Sequence, residues 1–449
     1  MTRPCTTYCF ELCDGSCALP EPVYAEPRVV LYQADCLEVM RAMPEASVDA
    51  VVTDPPYLIG FMSRDFDMQG GAHTDPQTMQ AWHLAWAREA LRVLKPGGHL
   101  VAFGGTRTHH RLMCALEDAG FEIRDTLMYL YGSGFPKSLD VSKAIDKAAK
   151  GHPQGSTKGD PDSPNSGKFK TQRTEGKRSA SDLGQQFGAG PGQFMREQGG
   201  KYERDLMPEA TPWQGWGTAL KPAWEPIILT RKPLSEPTVA ANVLKHGTGA
   251  LNVDACRIGT DEHLQGSTVR NDIRGGRFAA GHRPNPGDIP DYQRHSAGRW
   301  PANVVLDEEA AAMLDEQSGR LTSGTGAVKK ATGAGWQANA YGKESRPIGT
   351  PNVEYGDTGG ASRFFYTTKA DAEDRDGSRH PTVKPVDLCK WLVRLVTPPG
   401  GLVLDPFCGS GPIVWAAREL GFQAVGIDRE AEYVQDAIRR LRQGVLPFA

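Results

Sequence analysis

Short apolar runs alternate along this chain with charged or turn residues, and their spacing predicts strands and helices in turn. Val48-Asp49-Ala50-Val51-Val52 predicts a short buried strand, followed at once by Thr53-Asp54-Pro55-Pro56-Tyr57. Near the other end, Gly401 to Asp405 predicts a strand, and Pro406-Phe407-Cys408-Gly409-Ser410-Gly411 a glycine turn. Pro412 to Leu420 then predicts a helix with proline at its start, closed by Gly421. Phe422 to Ile427 is the next strand, ending at Asp428. Trp86 to Gly98 reads as a helix stopped by Pro-Gly-Gly, with His99 to Phe103 as the strand after it and Gly104-Gly105 at its end. Val386 to Val396 predicts a further helix, and Ala223 to Arg231 a further strand.

Two of these stretches carry chemistry. A strand ending in a carboxylate, two prolines and an aromatic ring can hold one amino group on a flat base. The prolines fix the backbone and leave carbonyls with no neighbouring N–H. Asp54 and such a carbonyl accept two hydrogen bonds, and Tyr57 offers a stacking face. The same run is also compatible with ordinary turn chemistry. The second stretch is a βαβ unit with an acid, Asp428, about twenty residues past its glycines, as a nucleoside cofactor requires. Its glycines do not follow Gly-x-Gly-x-x-Gly, so nicotinamide is not indicated.

Asp54-Pro55-Pro56-Tyr57 resembles motif IV of the amino-methyltransferases, (Asp/Asn/Ser)-Pro-Pro-(Tyr/Phe). Asp405-Pro406-Phe407-Cys408-Gly409-Ser410-Gly411 resembles motif I of S-adenosylmethionine-dependent DNA methyltransferases, usually Asp-Pro-Phe-x-Gly-Ser-Gly. His380-Pro381-Thr382-Val383-Lys384-Pro385 resembles motif X. Motif IV precedes motif I, as in the β-group of these enzymes. The runs Tyr131 to Ser138 and Gly217 to Ile227 are similar to those of phage and prophage site-specific DNA methylases.

The resemblance implies an α/β fold, a Rossmann-like methyltransferase sheet with helices on both faces. Irregular insertions, among them a target-recognition region, would interrupt it. It implies catalysis by Asp54, Pro55, Pro56 and Tyr57. It also implies S-adenosyl-L-methionine held by Asp35, Lys384, Asp405, Phe407, Gly409, Ser410, Gly411 and Asp428. Asp35, at the end of the strand-like Arg28 to Leu37, would contact the adenine, and Ala223 to Arg231 would pair antiparallel with Thr126 to Tyr131 as a sheet edge. The expected organisation is a cysteine-containing tail (1–27), a catalytic half (28–136), a flexible insertion (137–216) and an edge strand (217–233). A target-recognition region (234–361) and a cofactor-binding half (362–449) complete it. The expected reaction is methyl transfer to adenine N6 in double-stranded DNA with the base flipped out. Cytosine N4 methylation is the alternative, although enzymes of that type more often carry Ser in place of Asp54. An inactive DNA-binding relative is a lesser one. The sequence assigns no recognition site; a second copy of the chain and a cognate restriction enzyme are candidate partners.

Composition narrows this picture. At 449 residues the chain suggests two to three domains, and 51 Gly with 33 Pro imply much loop. A formal charge of −3 places DNA attraction in a local basic face rather than in the whole molecule. Lys168 to Arg178 holds five basic residues and one acid, and reads as a DNA-contacting loop or a solvated linker. Arg270, Arg274, Arg277 and Arg283 cluster in the expected recognition region, where Trp300 to Leu306 and Ser362 to Thr367 are strand-like anchors. No apolar run reaches the roughly 18 residues of a membrane span, and no signal-peptide pattern opens the chain, so a cytoplasmic protein is expected. The reaction requires no metal. Cys5, Cys9, Cys13 and Cys17 are candidate zinc ligands at a spacing unlike common zinc ribbons, with an unordered tail the competing reading. Cys36, Cys114, Cys256, Cys389 and Cys408 read as buried small residues. The Pro-Cys pair Pro4-Cys5 lies in the tail, against cytosine C5 chemistry.

Overall fold

A computed structural model describes residues 19–60, 67, 75–132, 134, 138–149, 206–259, 298–322, 358–368 and 383–443. The tail cysteines, the Lys168 to Arg178 segment, the arginines at 270, 274, 277 and 283, and His380 to Thr382 lie outside the described residues. The chain divides into two compact units, residues 1–133 with 223–449, and residues 134–222.

In the first unit the elements run β1 (Tyr24–Glu26), β2 (Val29–Gln33), α1 (Cys36–Ala42), β3 (Val48–Thr53), α2 (Pro76–Val93), β4 (Leu94–Phe103), α3 (His109–Ala119) and β5 (Glu122–Leu130). The second unit contributes α4 (Val141–Ala149) and a turn of 3-10 helix at Thr211–Trp213. The first unit resumes with β6 (Trp224–Arg231), α5 (Val239–His246), β7 (Val304–Asp307), α6 (Glu308–Ser318), the short pair β8 (Leu321–Thr322) and β9 (Thr358–Gly359), and β10 (Tyr366–Thr368). It ends with α7 (Val386–Val396), β11 (Leu402–Asp405), α8 (Pro412–Glu419), β12 (Gln423–Asp428) and α9 (Ala431–Gln443).

Among the described residues ten strands form one sheet in the order β1-β2-β12-β11-β3-β4-β6-β5-β7-β10. Strands β2, β12, β11, β3 and β4 are mutually parallel, and β6 runs antiparallel to both β4 and β5. Side-chain alternation sends Val29, Leu31, Ala50, Val52 and Val403 to one face, against α7, α8 and α9. It sends Val30, Tyr32, Val51, Leu404 and Val425 to the other, against α1, α2 and α3. Each such buried Val or Leu contributes about 1.5–3 kcal/mol of apolar burial. The expected α/β sheet with helices on both faces is therefore present.

Three local expectations are corrected. Strand β6 pairs with β5 as expected but is interior, because β4 binds its other side and β7 and β10 extend the sheet beyond β5. The helix before β4 starts ten residues earlier than Trp86, at Pro76 behind an Asp75 N-cap, and ends at Val93. Pro96 to Gly98, which read as its stop, lie in the next strand, which begins at Leu94. Cys114 is exposed on α3, whereas Cys256, Cys389 and Cys408 are buried.

Candidate active site

Parallel strands β2, β12, β11 and β3 bring their C-terminal ends to one edge of the sheet. That edge carries Asp35, Asp428, Asp405 and Asp54. Adjacent register pairs Leu404 with Val51 and Asp428 with Gln33, so acids far apart in the chain become neighbours. Thr53 Oγ1 donates to Asp405 Oδ1 at 2.8 Å, tying the strand of the first motif to that of the second.

The Asp-Pro-Pro-Tyr run leaves β3 and turns sharply at Leu58, whose φ of 55° is unusual for a branched side chain. The buried carboxylate of Asp67 holds this turn, accepting from the backbone N–H of Leu58 at 2.7 Å and of Ile59 at 3.0 Å. Sequence reasoning missed Asp67, which lies ten residues past Tyr57, outside the motif. Gly105, at the end of β4, packs on the Tyr57 ring: a Cβ there would meet Tyr57 Cδ2 at 3.1 Å and Cβ at 3.2 Å. A side chain at that position would push the ring aside.

Lys384, grouped on sequence with the cofactor residues, lies on the Asp54 carboxylate. Its ammonium is 2.8 Å from Asp54 Oδ2, 3.1 Å from the Tyr57 hydroxyl and 3.5 Å from Glu225 Oε2. It also lies over the Phe103 ring, 4.9 Å from its centroid. The Lys384 side chain is 6% exposed and those of Asp54 and Glu225 are 19% and 21%, so this network is largely removed from water. Burial alone would lower the Lys384 pKa, but Asp54, Glu225 and Tyr57 outweigh it and hold the ammonium charged, well above its ordinary value. Burial pushes the Glu225 carboxyl up, with Lys384 opposing, and pushes the Tyr57 hydroxyl well up, so Tyr57 stays neutral. Asp54 Oδ2 is taken by Lys384, while Asp54 Oδ1 is buried and has no hydrogen-bond partner among the described residues.

The second motif forms the turn from β11 into α8. Gly409 and Gly411 have φ of 51° and 78°, and a Cβ on Gly411 would meet Ala437 Cβ at 2.9 Å. Asp428 clamps this turn, accepting from Gly409 N–H through Oδ2 and from Glu430 N–H through Oδ1, both at 2.8 Å. Phe407 is wedged against Trp82 and Trp86 of α2, with centroids 5.6 and 5.4 Å away. Trp86 Nε1 in turn donates to His83 Nδ1, and burial, which pushes His83 down to about 3, keeps that imidazole a neutral acceptor. Neither tryptophan was among the site residues expected from the sequence, since nothing in their spacing points at Phe407.

Burial raises Asp405 to about 8, and its Oδ2 is buried without a partner among the described residues. Burial raises Asp428 to about 6 against two backbone hydrogen bonds that lower it. Asp35 is exposed and caps α1 by accepting from Leu37 N–H at 2.8 Å. Ser410 is buried in the turn. The edge thus offers a glycine turn, an unpartnered carboxylate oxygen and two tip acids, a set that fits a nucleoside cofactor carrying positive charge.

The model of a DNA methylase family, N6_N4_Mtase, matches residues 48–185 and 193–439. The chain is 20% identical to the type II methyltransferase M.HindIII of Haemophilus influenzae over 443 residues, 92% of this chain and 94% of that one. Among solved structures it is similar to the PvuII cytosine-N4-specific DNA methyltransferase, with TM-score 0.45, 12% identity and coverage of 95% and 90% of the two chains. It is also similar to a DNA modification methylase of Thermus thermophilus complexed with S-adenosyl-L-methionine, with TM-score 0.38, 16% identity and coverage of 93% and 95%.

Proposed function

The chain belongs to the DNA methylase family N6_N4_Mtase, and from that premise we propose that this S-adenosylmethionine-dependent DNA methyltransferase modifies adenine N6 in duplex DNA. The observation that carries this reading is Asp54 Oδ1, buried and without a hydrogen-bond partner among the described residues, three positions before Tyr57. It is an acceptor awaiting a donor, next to a face on which a flipped base stacks.

When bound, S-adenosyl-L-methionine supplies an electrophilic methyl group. Asp405, the Phe407 to Gly411 turn, Asp428 and Asp35 would hold it, with Asp428 serving the ribose. On the base, Asp54 Oδ1 and the Pro55 carbonyl accept the two amine hydrogens. An arylamine lone pair is delocalised into its ring, and holding both hydrogens out of plane localises it toward the methyl group. Orientation of two bound reactants supplies much of the acceleration. Asp54 Oδ1 would take the surplus amine proton as the nitrogen–methyl bond replaces the sulfur–methyl bond and neutral S-adenosylhomocysteine leaves.

Residues 234–361 are proposed to read the target sequence, and Lys168 to Arg178 to add non-specific affinity. The same reading takes a second copy of the chain and a cognate restriction enzyme as partners. Sedimentation of the protein tests the first, and resistance of DNA from expressing cells to cleavage tests the second. Among the described residues no helix is long and apolar enough to cross a membrane.

Mass spectrometry of nucleosides from DNA methylated by the purified chain tests the assignment. N6-methyladenine is expected. N4-methylcytosine without N6-methyladenine would move the target to cytosine, and cofactor binding without any methylated base would leave an inactive relative.

A further inference from the structure

Glu225 stands at the start of β6, opposite Tyr129 of β5, and its strand is joined to β4 through Phe103 and Ile227. Its carboxylate faces Lys384, Asp54 and Tyr57, with Tyr129 of β5 and Tyr131 just past that strand within its field. Two carboxylates and one ammonium thus share a largely dry pocket. The chemistry assigned above uses only one of those carboxylates, and a second half-buried one is costly unless it has a task.

The geometry of Lys384 supplies that task. An ammonium has three donors, and here they point to Asp54 Oδ2, the Tyr57 hydroxyl and Glu225 Oε2. The Glu225 carboxylate also acts on the Tyr57 hydroxyl through its charge. With Glu225 holding its far side, Lys384 engages one Asp54 oxygen and leaves the other bare. Without that anchor, the ammonium would be free to straddle both oxygens of Asp54 and cover the acceptor the amine needs.

We propose that Glu225 is a positioning residue for methyl transfer: by anchoring Lys384 it fixes Asp54 Oδ2 as the held oxygen and Oδ1 as the one presented to the amine. This rests on the reading of Asp54 as the amine acceptor. The Asp54 oxygen left bare then faces the amine nitrogen, on which positive charge develops as the methyl group arrives.

The test compares Glu225→Gln with the wild-type chain under single-turnover conditions on the same DNA, with cofactor affinity measured by calorimetry. The expected result is a rate loss of about 10- to 100-fold, the scale of a misplaced catalytic group, with cofactor affinity unchanged. In a Lys384→Met background the same substitution should cost less than about twofold more, because residues acting through one another are non-additive. A Glu225→Gln rate equal to wild type, or losses that simply multiply with those of Lys384→Met, would overturn the proposal. A second measurement needs no turnover. In the full chain labelled with 15N at lysine, the Lys384 ammonium resonance, identified by its loss in Lys384→Met, should move in both Glu225→Gln and Asp54→Asn. A resonance that ignores Glu225→Gln overturns the anchoring. A wild-type chain that methylates no DNA base sinks the proposed reaction instead, and the resonance still reports on Glu225.

Discussion

The Tyr57 hydroxyl accepts a hydrogen bond from Lys384 Nζ at 3.1 Å, across 327 residues of chain. On sequence alone, Tyr57 is a stacking face and Tyr57→Phe should stay close to wild type. The contact changes that expectation, since the phenylalanine leaves a buried ammonium short of one acceptor. A hydrogen bond to a charged group is worth about 1.5–3 kcal/mol, so kcat should fall by roughly tenfold or more while DNA binding holds. Tyr57→Ala should in addition raise the KM for DNA, because base stacking of about 1–3 kcal/mol is lost. Steady-state kinetics of both variants decide; a Tyr57→Phe enzyme with wild-type kcat would return Tyr57 to a stacking role alone.

Asp54→Ala removes the orphaned oxygen and the partner of Lys384 together. Turnover should collapse, whereas cofactor affinity should survive, because the glycine turn and Asp428 lie on other strands. Titration calorimetry and a methylation assay on one preparation check both halves. Substantial activity in this variant would remove Asp54 from the chemistry.

For Asp428 the expected loss is in cofactor affinity. Asp428→Ala deletes an acceptor for the ribose and releases the Gly409 N–H that shapes the turn. One charge-assisted pair predicts a loss of roughly 1.5–3 kcal/mol in binding. With Asp428 raised to about 6 by burial, the ionised acceptor is present above that value and lost below it. Wild-type affinity should therefore weaken as pH falls through about 6. An affinity flat from pH 5 to pH 8 would argue that the ribose is held elsewhere.

Asp405 makes a stability prediction. Burial holds its folded pKa at about 8, above the ordinary carboxylate value of 3.8. Between these values the folded chain keeps a proton that the unfolded chain has lost, so stability from this group falls as pH rises. Asp405→Asn keeps an oxygen for Thr53 Oγ1 and Phe407 N–H and cannot ionise. Without cofactor at pH 8, its Tm should exceed wild type by on the order of 2 °C, a gap that closes near pH 4. Thermal scans at the two pH values test this; a pH-independent difference would contradict the raised pKa.

Neutralising three basic residues between Lys168 and Arg178 should flatten the salt dependence of DNA binding and leave the methylated site unchanged. Filter binding across salt, with modification-sensitive sequencing, measures both. A changed site would mean that this segment, rather than residues 234–361, reads sequence.

Much of the site's chemistry was legible in the chain because it is local. Asp54-Pro55-Pro56-Tyr57 and Asp405 to Gly411 each combine a strand's end with the turn after it, and backbone rules act over a few residues. The strand-turn-helix-strand run to Asp428 follows from hydrophobic period alone, as does the helix Val386–Val396. The partners of those residues were not legible. Glu225 and Lys384 meet Asp54 only because β6 inserts between β4 and β5 and the chain after β10 returns beside β3. Asp67 stands outside the motif, and Trp82 and Trp86 look like any apolar face of a helix until Phe407 packs against them. A sequence determines which residues can carry charge, stack or turn. Which charge compensates which is set by strand order and register, since a buried ion finds its partner through space.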